Sequence, residues 1–512
     1  MSLNRPRTAW LQLGVGLAIF WASAAQSAEP LAAIDWLIEP PTRQIANEDE
    51  ESGALGAKSG FALPIAVTTG ALTDYNINAA GLITAQTARL PSDLWPSTQI
   101  AHAARILPRV PKLKSKEANL LLAALLMAEN DADRVFDTVP LFIARIEKLV
   151  DLGALEAAAA LISLASEYND DRLIRLALDI ALIRGPAPRE CTAAITADAL
   201  GHEEDRLVEI YCHAVTKNWH EAELLLITSE ALDLLSDVDL ELMWQFMDPE
   251  YADTAPAPTL GIDQLTPIRF QLVASLGATP FLADAPTPYQ WPYLNGRTGW
   301  KLQIEAAEKL AHAGVVSGNA LLQHYTARKP SASGGVWDRA AAVQRLDAAI
   351  GGNRVDALHD AHAIFARTGD RLLLAEVAYA LDLSRDARIA RDPLWIELML
   401  LAHPQTVDRA AIPSTQQPRL AFAVAVLAQN IQAAAPFQAS DPLAAAIWHA
   451  LSTPVLPQAA TGPEIAQALI QLSNGENGDI YALNQSLRQL RAMGLSDHAS
   501  RIAAQLTILD AR

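Results

Sequence analysis

Several common carriers of a nameable chemistry are missing from this 512-residue chain. It has no GxGxxG fingerprint, Walker A loop, HExxH, CxxC, GxSxG elbow or EF-hand loop, so no motif marks a nucleotide, zinc, dithiol, hydrolase-elbow or calcium site and no cofactor is expected. Positive charge is scarce: 39 Lys and Arg against 58 Asp and Glu leave a net −19, with no basic cluster interleaved with aromatics. Such a chain repels nucleic acid and anionic lipid headgroups. Long apolar runs are absent from the body of the chain. The most apolar stretch, "NLLLAALLMA" at 119–128, is bounded by Lys116, Glu117, Glu129 and Asp131, well short of the ~20 residues that span a bilayer.

The amino terminus carries the most specific signal. Arg5 and Arg7 precede an uncharged apolar run from Trp10 to about Ala22, followed by small residues, which is the pattern of a secretory signal peptide spanning 1–28. Cleavage is expected between Ala25 and Ala28, and no cysteine follows to take a lipid anchor. Loss of Arg5 and Arg7 takes the charge from −19 to −21. The expectation is a periplasmic protein with no stable membrane insertion after processing.

The body reads as helices separated by glycine corners. In "LVDLGALEAAAALI", Phe142, Ile146 and Leu149 recur at helical spacing before Gly153, and Leu155, Leu161, Ile162 and Leu164 do so after it. Glycine stops a helix because it enters the left-handed region without steric cost. Gly314, Gly369 and Gly494 repeat the arrangement, each with a large apolar residue four before and an aliphatic eight after: Leu310 and Leu322, Phe365 and Val377, Leu490 and Ile502. The pattern resembles the helical hairpins of tetratricopeptide-like and other α-solenoid proteins, and this resemblance implies an all-α array of αα-hairpins. The corners share no 34-residue period, so the array is expected to be irregular.

Breaks in composition divide the chain further. Residues 29–96 read as an extended lead-in with short strands possible, and 97–246 as a helical-hairpin domain opened by Ser97 as N-cap. A Pro-rich connector with one helix covers 247–300, where Thr266-Pro267 marks a helix start. A second hairpin domain covers 301–512, in which Thr461 and Glu464 form a capping-box pattern.

Few residues suggest a site. Cys191 and Cys212 are the only cysteines and lie symmetrically about Gly201-His202, where an antiparallel hairpin brings equidistant residues face to face. An exported even pair invites a disulfide, and a loop of about 22 residues makes it worth ~3 kcal/mol in the chain-entropy estimate. The adjacent Cys212-His213 pair looks like a nucleophile and base, but neighbours on a helix diverge. His359 and His362 could present two imidazoles to one metal. Two ligands are an incomplete site, so no metal is assigned. Tyr289, Trp291 and Tyr293 in "YQWPY" form a candidate partner surface. Together these features suggest a scaffold or adaptor for envelope proteins, with a cell-envelope polymer hydrolase as the alternative. The chain purified without reductant should have a mass two hydrogens below the reduced form; two freely alkylatable thiols would contradict the bridge.

Overall fold

The computed structural model describes residues 77–509, apart from 131–138, 166–169, 202–204, 257, 278–284, 297, 350–352, 409–416, 431, 434–436 and 438–440. All of them belong to the unit Leu63–Arg512. The signal-peptide segment and most of the lead-in lie outside the described residues. Among those described, every regular element is helical, and the only extended pairing is an isolated bridge between Ile83 and Ala128. The fold is therefore all-α. Sequential helices pack in pairs, among them Val139–Asp151 with Leu155–Leu164, Pro188–Thr196 with Arg206–Val215, Val336–Ala348 with Arg354–Thr368, and Gly462–Glu476 with Ile480–Ala492.

The four corner glycines all have positive φ: 86° at Gly153, 76° at Gly314, 77° at Gly369 and 81° at Gly494. Each closes its helix with the same two bonds, which satisfy carbonyls a helix end leaves without partners. The Gly153 amide donates to Val150 O and that of Ala154 to Leu149 O, both at 2.8 Å. Gly314 with Val315, Gly369 with Asp370, and Gly494 with Leu495 repeat the pair. The second acceptor is always the large apolar residue four before the glycine: Leu149, Leu310, Phe365 or Leu490, all fully buried. The same closure occurs without glycine at Asp198, Lys217, Asp233 and Gln429, whose φ values run from 56° to 69°. There the side chain bears the roughly 1–2 kcal/mol cost of the left-handed region.

Two expected caps are corrected. Ser97 is not an N-cap; it opens the 3-10 turn Ser97–Gln99, and the α-helix Ile100–Ile106 follows. Thr461 does start the helix Gly462–Glu476, but its side chain makes no capping bond. Instead Thr461 Oγ1 donates to Gln99 Oε1 at 3.0 Å, and Gln99 Nε2 donates to Glu464 at 3.5 Å. The tertiary partner has displaced the local capping box. Thr266, by contrast, caps its helix as expected, accepting from the Arg269 amide.

That contact belongs to a wider one in which early helices meet late ones. The helix Lys116–Met127 packs against Ser496–Leu509, Gly462–Glu476 and Pro393–Ala402. A helix apolar all round must be buried all round, and Leu121, Leu122, Leu125 and Leu126 are each completely inaccessible. Among the described residues no helix is long and apolar enough to cross a membrane.

Gly153 carries a second constraint. A Cβ there would lie 2.6 Å from Thr287 Cγ2, whereas one at Gly314 would meet nothing within 4 Å. Gly314→Ala should cost about 1 kcal/mol from φ alone, and Gly153→Ala more. Adding Thr287→Ala should remove the excess, measured as the coupling between denaturation midpoints; equal costs at both glycines would show that Thr287 does not constrain the corner.

Candidate functional site

The described residues concentrate buried charge where the early and late helices meet. Lys114 N and Ser115 N donate to the two carboxylate oxygens of Glu476 at 2.6 and 2.9 Å. Ser115 caps the helix Lys116–Met127, accepting from the Ala118 amide. Its hydroxyl and the Glu117 amide both donate to Gln505 Oε1, at 2.7 and 2.9 Å. Glu117, only 2% exposed, accepts from Arg501 at 2.7 Å and lies 2.9 Å from His498 Nδ1. Lys116 forms an ion pair with Glu376, whose other oxygen lies 3.2 Å from His403 Nε2. The His403 ring stacks on Tyr379 with 3.8 Å between centroids.

Burial alone would raise the Glu376 carboxyl, but Lys116 and His403 outweigh it and hold the pKa at about 2. Burial likewise opposes ionisation of Glu117, and the His498 hydrogen bond with Arg501 beside it brings the pKa down. A third buried acid, Glu308, accepts from Tyr325 at 2.7 Å and from Arg339 at both oxygens. These carboxylates are paired and hydrogen-bonded, the condition under which buried charge is tolerated. Chemically they act as clamps between helices.

The residues singled out from sequence are dispersed. Cys191 and Cys212 stand at disulfide distance, Cα to Cα 4.9 Å, joining Pro188–Thr196 to Arg206–Val215. Both are fully buried, and with its sulfur against that of Cys191, Cys212 is not placed as a nucleophile for His213. His359 Nε2 lies 2.9 Å from Asp392, and among the described residues no three potential ligands gather around it or His362. Tyr289 and Tyr293 correct the expectation of an open aromatic surface. They are 8% and 5% exposed; Tyr289 packs on Phe270, and Trp291 Nε1 donates to Gly153 O at 2.6 Å. The aromatic segment docks inward onto the helix corner because its rings fill that core and its indole satisfies the corner carbonyl.

An outward face lies elsewhere and was missed. The helix Trp219–Ala231 buries Ala222, Leu226 and Ser229, chiefly against Arg206–Val215 with Asp237–Met247 beside it. Leu224 and Ile227, on its opposite side, are 52% and 49% exposed, with Trp219 at 50% and Leu232 at 63% near its ends. Six of the eleven large apolar side chains left exposed among the described residues fall between Trp219 and Ile262. The same segment is one-signed: from Asn218 to Ile268 there are eleven Asp and Glu and no Lys or Arg. That charge run was the available sequence signal, and apolar periodicity hid it because this helix is apolar on two faces.

The chain matches no protein-family model, no curated protein and no solved structure. Its own geometry therefore carries the functional argument. For the ionic centre, Lys116→Met leaves Glu376 buried without its cation and should destabilise by roughly 3–5 kcal/mol. The depressed Glu376 pKa contributes stability that is complete above the ordinary glutamate range and lost as pH falls from there towards about 2. Lys116→Met should therefore shift acid unfolding to higher pH, followed by circular dichroism; an unchanged acid midpoint would show that Lys116 does not hold the charge.

Proposed function

We propose that this protein is an exported, tetratricopeptide-like helical-hairpin scaffold that binds protein partners in the cell envelope. The observation that carries the reading is the exposed pair Leu224 and Ile227 on an acidic helix whose opposite side is already packed. Contiguous exposed apolar surface rimmed by polar residues marks interaction sites in soluble proteins. The negative charge of the chain disfavours nucleic acid and anionic membranes as the target. Export rests on the amino-terminal sequence pattern alone. The pairing of Glu117, Glu308 and Glu376 with Arg501, Arg339 and Lys116 supports a scaffold over a hydrolase, because those acids already serve to hold helices.

A photo-crosslinking amino acid at position 227, with position 360 as an exposed control on another helix, tests the reading in intact cells. The expected result is a chain in the envelope fraction beginning between Gln26 and Glu29, with a protein adduct at 227 and none at 360. A full-length chain retained in the membrane, or no protein adduct at 227, would contradict it.

A further inference from the structure

The exposed side of Trp219–Ala231 has a specific periodicity. His220, Leu224, Ile227 and Ala231 are spaced by four, three and four residues, the spacing of a two-helix seam. All four are exposed. Glu223 and Glu230 flank this seam on one side and Glu221 with Thr228 on the other, and these too are exposed. The positions that normally carry interhelical charge pairs are thus acidic or neutral. The core-facing residues Ala222, Leu226 and Ser229 lie on the other side, so the seam plays no part in the packing of its own hairpin. From behind, the helix rests on Arg206–Val215, which the Cys191–Cys212 pair ties to Pro188–Thr196.

We infer that this seam receives a partner helix with Leu or Ile along its own seam and Lys or Arg on its flanks. The inference rests on the scaffold reading above and specifies the chemistry of its partner. Charge decides between occupants. In an antiparallel pairing of two copies, Glu223 of one chain faces Glu230 of the other, and two chains each carrying −19 repel at longer range. Anionic lipid is repelled in the same way. A cationic helix instead meets carboxylates on both flanks of an apolar stripe, which provides both burial and register.

The probe is a fluorescent synthetic helix of about three heptads with Leu on the seam and Lys on both flanks, titrated into the purified full chain by anisotropy. Comparison helices have Glu on the flanks, or the Lys composition in scrambled order. The ordered Lys helix should bind, more weakly at high salt, and Ile227→Glu should weaken it at least tenfold without altering the chain's melting. The double variant Glu223→Lys, Glu230→Lys should reverse the preference from the Lys helix to the Glu helix. Equal binding of ordered and scrambled helices, or insensitivity to Ile227→Glu, would overturn the inference. So would a dimer in sedimentation that Ile227→Glu dissociates, which assigns the seam to a second copy, or Ile227-dependent binding to neutral phosphatidylcholine vesicles, which assigns it to a bilayer. A crosslinked protein at 227 without Lys-helix binding removes the partner chemistry and leaves the scaffold reading intact. Lys-helix binding without an adduct in cells does the reverse.

Discussion

The rest of the described structure depends on burying the helix Lys116–Met127. Its apolar faces are in contact with late helices on several sides, so its amino end is enclosed with its charges. A helix amino terminus leaves backbone amides without intrahelical partners, and here Ser115, Glu476 and Gln505 supply acceptors from within the fold. The enclosed Glu117 and Lys116 then require charged partners, which Arg501 and Glu376 provide, with His498 Nδ1 2.9 Å from Glu117. One apolar segment thereby ties residues more than 350 positions apart in sequence.

This arrangement also explains how much of the fold was legible beforehand. Gly153, Gly314, Gly369 and Gly494 could be read as corners because glycine has a conformational reason to be there, and the large residue four earlier is the one whose carbonyl the closure uses. Asp198, Lys217, Asp233 and Gln429 make the same turn; Asp enters the left-handed region more readily than most residues, but it is too common elsewhere to mark a corner, and Lys and Gln give no such signal. Part of the punctuation was therefore silent, and no repeat period could emerge from those four glycines alone. The Thr461 capping box failed for a related reason, since Gln99 reaches it from 362 residues away.

The site was less legible than the fold. The cysteine pair was readable because hairpin symmetry relates two positions to one turn. The aromatic segment at 289–293 was misread as a surface because composition does not indicate which way a ring points; its Trp291 closes against Gly153 O. The acidic helix Trp219–Ala231 escaped because apolar periodicity assigns every apolar residue to a single core. Leu226 faces that core while Leu224 and Ile227 face out, a separation that side-chain burial reveals.

An enclosed helix at 116–127 that joins the early and late helices, with an edge helix at 219–231 left available for a partner, is the central claim. Native-state hydrogen exchange of the free chain tests it most directly, because it measures the opening free energy of each segment. The slowest amides are expected in Lys116–Met127 and Ser496–Leu509, exchanging together, with faster local opening in Trp219–Ala231. Exchange in Lys116–Met127 as fast as in Trp219–Ala231 would contradict it.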